Sequence, residues 1–265
     1  LVGSEMCIRD RFRKMTQDKN DRFPTSEEFV NFFDWYMYRN RDSFTDEQFE
    51  HRIKYGHDFL PAYYNAHVKS WNKIVSIERN FQGIEINGVP INGKLDKIEF
   101  NGTNANVVDY KTGQFSKGKK KFNPPDPAAV MPSETEASDS GKEMPPQGRH
   151  DNGTNPDREK LHGGDYWRQA VFYKILVDND PTRSWNVIST EFDFVEPDSK
   201  TKEYHRQKVV ISPHDIDLVK AQIKAVHEGI MNLEFSRGCN EPYCKWCNFV
   251  KSNYMEMTGE EVEDI

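Results

Sequence analysis

Two short runs hold residues whose types and spacing could do chemistry together. One is Gly93-Lys94-Leu95-Asp96; the other, thirteen residues after Asp96, is Asp109-Tyr110-Lys111-Thr112-Gly113. Between them Asn101-Gly102 is a hairpin turn signal. Pairing across that turn brings Asp96 and Asp109 from neighbouring strands. Side chains alternate faces along a strand, so Asp109 and Lys111 share one face and Tyr110 takes the other. Two carboxylates and one ammonium then meet at a common point. Carboxylate oxygens suit a hard divalent cation such as Mg²⁺. Such a cation polarises a phosphoryl oxygen and lowers the pKa of a bound water. A neighbouring lysine orients that water and offsets charge building up in the transition state. The chemistry this set fits is hydrolysis of a phosphodiester. A bare Asp-x-Lys reads as a surface ion pair; Gly-x-x-Asp on the preceding strand tips the balance toward chemistry.

Stepping outward, the elements that must position these residues are legible as periods. Thr25 and Glu28 form a capping box, followed by Phe29, Phe32, Phe33 and Tyr36 at helical spacing. Thr45 and Gln48 form a second, and Phe49, Ile53, Phe59, Leu60, Tyr63, Tyr64, Val68 and Trp71 continue a helical stripe to about residue 72. These aromatic stripes read as core. The pattern then changes: residues 74–81 read as a strand, 84–88 alternate and turn, and strands at 93–100 and 105–111 flank the Asn101-Gly102 turn, an antiparallel meander. Tyr166, Ala170, Tyr173 and Val177 lie along a helix starting near Asp165. Residues 185–195 and 203–211 read as strands. Ser212 caps a last helix, with Pro213 at its first position, running to about Leu233. The order predicts an α/β fold, a central mixed β-sheet flanked by helices.

Residues 114–163 carry many of the prolines and few large apolar residues, and read as a disordered insertion. Within it, Lys117, Lys119, Lys120 and Lys121 form a charge run, usually a solvated feature, that could also touch phosphates because it follows the strand of Asp109. Gly113 to Lys120 nearly matches a phosphate-binding loop, but the closing Ser or Thr is absent and Pro124-Pro125 intervene, so ATP binding is not expected.

The 265 residues carry a net charge of -7, which disfavours a protein that merely coats nucleic acid. A carboxylate metal site is compatible with it, since phosphate contacts need only a local basic stripe. There is no apolar run of the roughly 18 residues needed to span a bilayer and no secretory signal, so a cytoplasmic protein without membrane contact is expected.

Gly93-Lys94-Leu95-Asp96, Val107-Val108-Asp109-Tyr110-Lys111-Thr112-Gly113 and Gln169-Ala170-Val171-Phe172-Tyr173 together resemble the PD-(D/E)XK nuclease superfamily. The likeness is specifically to the RecB-like nuclease domain at the C-terminus of UvrD-type helicases, over about residues 25–250. The resemblance implies a restriction-endonuclease-like core. It makes Asp96 and Asp109 ligands of Mg²⁺ or Mn²⁺, with the Tyr110 carbonyl completing the shell, and Lys111 catalytic. Gln169 and Tyr173 would sit beside the site and help to organise it and the DNA. Glu78, on the strand before the hairpin, would be a further acidic ligand or a structural ion pair. The family's metal-binding histidine precedes a long helix; His57 and His67 are not in that setting, so that motif is expected upstream of this piece. The function implied is DNA cleavage in repair or recombination, with a helicase motor upstream on the same natural chain. The competing reading is a catalytically inactive nuclease fold that binds or steers DNA.

Cys239, Cys244 and Cys247 lie within nine residues, metal-like spacing short of four ligands. Some relatives hold an iron–sulfur cluster with one cysteine ahead of the nuclease core; zinc with another fourth ligand, or a remnant with only packing value, are the alternatives. The expected organisation is a foreign, adapter-derived segment at 1–11 and the nuclease-like domain at 12–250. That domain contains the 114–163 insertion and a cysteine-rich tail at 236–250, and an acidic tail follows at 251–265.

Overall fold

The computed structural model describes residues 11–20, 22–126, 160–233 and 248–249. All four cysteines, the acidic tail and residues 127–159 of the expected insertion lie outside them. A five-stranded mixed sheet forms the centre, with strands in sequence order β1 (Val75–Ile86), β2 (Val89–Asn101), β3 (Asn104–Lys111), β4 (Asn186–Phe194) and β5 (His205–Val209). β1, β2 and β3 are the expected meander, β4 lies parallel to β3, and β5 returns antiparallel. A parallel neighbour needs a crossover, supplied by helix α3 (Asp165–Asp178).

Helices cover both faces. α1 (Ser26–Arg39) and α2 (Asp46–His67) start at the two expected capping boxes, and with residues 11–17, also helical, they close the back face. α3 and α4 (Pro213–Met231) close the front. Each face has its own core. On the back, Phe29, Phe33, Leu60 and Tyr63 pack against Val108 and Tyr110; on the front, Leu95, Ile98 and Val107 pack against Ala170, Leu176 and Phe192. Burying each such side chain contributes roughly 1.5–3 kcal/mol. α1 and α2 approach closely because residue 56 is glycine: a Cβ there would stand 2.2 Å from the Phe33 ring.

The strand reading and the insertion reading both need adjusting, for physical reasons. Residues 74–81 and 84–88 form one strand with a register shift between Phe81 and Ile84. Arg11, at the expected boundary, is fully buried, its guanidinium 3.6 Å from the Trp71 ring centroid and 3.4 Å from the Tyr110 hydroxyl. The flanks of the expected insertion are ordered. Phe115–Gly118 makes one helical turn and Lys119–Phe122 a 3-10 turn, and Phe115 and Phe122 pack onto the front core. Two isolated phenylalanines in a polar run have no period to reveal them.

Among the described residues no helix is long and apolar enough to cross a membrane.

Candidate active site

The site lies where the sheet forks. β2 and β3 pair from the hairpin up to Lys97 opposite Val108, and the ladder stops there. One step further, Asp96 stands level with Asp109, and the strands are joined by a side chain: Asp96 Oδ2 accepts from the Tyr110 N–H at 3.1 Å. The N–H and C=O of a residue leave an extended strand on the same edge, so the Tyr110 carbonyl also faces Asp96. β3 meanwhile stays paired to β4 as far as Lys111.

The facing of side chains switches at this level. Leu95 belongs to the front core, whereas Lys97 reaches back to the rings of Phe12 and Tyr110, and Ile98 is again at the front. β1 switches at the matching point, Ile77 packing at the back and Phe81 at the front. Glu78 lies between, across from Asp96 in the register, with φ 50. A left-handed, non-glycine residue costs on the order of 1–3 kcal/mol and persists only where its surroundings enforce it.

On the front face Asp109, Lys111, Gln169 and Tyr173 form one connected group. Asp109 is 4% exposed. Its Oδ1 accepts from the Tyr173 hydroxyl at 2.7 Å and from Gln169 Nε2 at 3.2 Å. Lys111 Nζ lies 2.7 Å from Asp109 Oδ2 and donates to Gln169 Oε1 at 2.8 Å. Gln169 Nε2 also reaches the Tyr173 oxygen at 2.6 Å. The amide thus uses both ends, one holding the carboxylate and the other the ammonium. Asp109 Oδ2 is buried, with the Lys111 ammonium as its partner.

Burial raises the Asp109 pKa; Lys111 opposes this, and the nearby Asp96 carboxylate adds to it. Burial, and then the Asp109 charge, pushes the Tyr173 hydroxyl well above its ordinary value, so it stays a donor. A raised carboxylate beside a second carboxylate is the electrostatic setting a cation relieves. Among the described residues no three His, Cys, Asp or Glu side chains come together as a metal site. Two carboxylates and a carbonyl still fit Mg²⁺, which is usually held by one or two carboxylates and keeps several waters.

Asp96, Asp109, Tyr110, Lys111, Gln169 and Tyr173 are therefore brought together. Glu78 stands across from Asp96, and its carboxylate is ion-paired with Arg13 at 2.6 Å and Lys94 at 3.3 Å. His57 is 2.6 Å from Asp34, and the His67 ring lies 4.7 Å from that of Tyr63, a residue of the back core. Cys239, Cys244 and Cys247 fall outside the described residues.

The structure adds two residues that sequence reasoning missed. The Tyr166 and Phe192 rings stack on each other, and the Lys111 ammonium lies 5.1 and 5.4 Å from their centroids. The signal for Tyr166 was available: it precedes Gln169 by three positions, one helical turn on the same face.

No protein-family profile matches the chain, and no curated protein sequence matches it. Solved structures do. A candidate exonuclease from Eubacterium rectale is 12% identical with a TM-score of 0.46, over 88% of this chain and 76% of that one. SSO0001 is 15% identical with a TM-score of 0.32, over 81% of this chain and 78% of that one. Neither assigns a role to any residue here.

Proposed function

We propose that this chain hydrolyses DNA phosphodiester bonds with the help of a divalent cation, as a PD-(D/E)XK nuclease of the RecB-like kind serving a helicase motor. The observation that carries the reading is the convergence of Asp96, Asp109 and Lys111 at the fork between β2 and β3, with Gln169 and Tyr173 holding the last two in register. Asp96 and Asp109 would hold Mg²⁺ or Mn²⁺ together with the Tyr110 carbonyl. A cation so bound supplies polarisation of the phosphoryl oxygen and a water of lowered pKa. Lys111, held between the Asp109 carboxylate, the Gln169 amide and two aromatic rings, orients the attacking water and offsets charge on the phosphate. Gln169 keeps the ammonium from drifting onto Asp109 alone. Tyr173 donates to Asp109, favouring its ionised form and holding it in one rotamer.

The test is cleavage of labelled DNA by the full chain in Mg²⁺, against EDTA and against Lys111→Ala. Metal-dependent cleavage by the parent, lost in the variant with DNA and metal binding kept, is the expected result. Cleavage that survives Lys111→Ala overturns the mechanism. DNA binding without cleavage by the parent favours the non-enzymatic alternative.

A further inference from the structure

We infer that Lys117, Lys119, Lys120 and Lys121 form a ledge that holds the phosphate backbone of a single DNA strand as it enters the site. The inference rests on the reading of that site as one that acts on DNA. In sequence these lysines are only a charge run, but the structure fixes them. Phe115 and Phe122, at either end, pack into the front core. The loop that follows is tied to the start of α3 by the Gly164 N–H donating to the Asn123 carbonyl at 2.8 Å. A second tie is the Asp126 N–H donating to the Lys160 carbonyl at 2.7 Å. Gly164 sits so close to the Lys121 backbone that a Cβ would come within 2.2 Å of the Lys121 carbonyl oxygen.

The ledge also adjoins the chemistry. Lys121 Nζ is 5.2 Å from the Tyr166 ring centroid, and Lys111 Nζ is 5.1 Å from the same centroid. At most about twice that distance separates the two amines. Lys117, Lys119 and Lys120 are exposed. Among the described residues none of the four lysines has an ion-pair partner, whereas Lys54, Lys97, Lys174 and Lys224 all do. On a chain of net charge -7, four unpaired ammonium groups beside a site built for a phosphodiester are a local polyanion track. Its four lysines fall within five consecutive positions, a short single line of charge that suits the phosphates of one strand more than the two-stranded face of a duplex.

The experiment is a fluorescence-anisotropy titration of labelled oligo-dT in EDTA, where no cleavage occurs, across about 50 to 200 mM salt. The full chain is compared with Lys117→Ala/Lys119→Ala/Lys120→Ala and with a control that loses the same charge elsewhere, Lys19→Ala/Lys54→Ala/Lys224→Ala. The ledge variant is expected to bind more weakly, with the slope of log K against log salt shallower by about 2, since each single-strand phosphate contact contributes roughly 0.7. The control keeps the parental slope. Equal slopes for ledge variant and parent, equal losses in both triple variants, or a parent that binds duplex in preference to the single strand each overturn the ledge. A parent that binds through the ledge but does not cleave in Mg²⁺ leaves the ledge standing and removes the hydrolytic reading instead.

Discussion

Gln169 is the most informative single position, because its amide touches both the acid and the amine. Gln169→Leu removes the acceptor 2.8 Å from Lys111 and the donor 3.2 Å from Asp109 while keeping a side chain of similar size. Asp109 retains the Tyr173 hydroxyl, so the carboxylate keeps its rotamer. The ammonium is left with Asp109 Oδ2 and the faces of Tyr166 and Phe192, and it settles toward the acid. A hydrogen bond to a charged group is worth about 1.5–3 kcal/mol. If that much is lost only where the amine must face the reacting phosphate, the rate falls roughly 10- to 150-fold. The assay is single-turnover cleavage at saturating Mg²⁺, with kcat and KM separated. The expected result is a fall in kcat at near-parental KM and near-parental Mg²⁺ affinity. A variant with parental kcat shows that the amide only packs, and the account of Lys111 positioning fails.

Because burial, with the Asp96 carboxylate adding to it, raises the Asp109 pKa, and the protonated acid does not hold a cation, Mg²⁺ binding weakens on acidification sooner than at an ordinary Asp, and cleavage at sub-saturating Mg²⁺ falls with it. Tyr173→Phe removes a donor to the ionised form, so the acid limb of the pH–rate profile moves to higher pH; a limb that stays in place contradicts the role given to the hydroxyl. In metal-free protein the folded state holds this proton more readily than the unfolded chain. Stability therefore falls as pH rises from the unfolded value to the raised folded one, a trend chemical denaturation across that window measures. Gly164→Ala forces a methyl against the Lys121 backbone, which no rotamer change relieves, and lowers stability by about 1–3 kcal/mol in urea titrations. An unchanged midpoint shows that the loop is not docked there.

Much of this architecture could be read from short-range periods. The capping boxes at Thr25 and Thr45 start α1 and α2, and the alternation through Val107, Asp109 and Lys111 puts the acid and amine on one face. What could not be read depends on groups distant in the chain. The facing switch at Glu78 and Asp96 arises between strands, and nothing in either local sequence announces it. Arg11 is charged and near the start of the chain, so its burial beneath Trp71 follows only once α2 has placed that ring. The ordering of 114–126 needs α3 to arrive from beyond residue 160. Glu78 fitted a ligand's position in the register but not its surroundings, because Arg13 and Lys94 hold its carboxylate.

The central claim is that Asp96 and Asp109 share one cation. Mn²⁺ binding followed by electron paramagnetic resonance measures this without reliance on cleavage. The full chain is predicted to bind Mn²⁺ at a site lost in both Asp96→Asn and Asp109→Asn and kept in Glu78→Gln. Mn²⁺ bound equally well by Asp109→Asn would contradict the account.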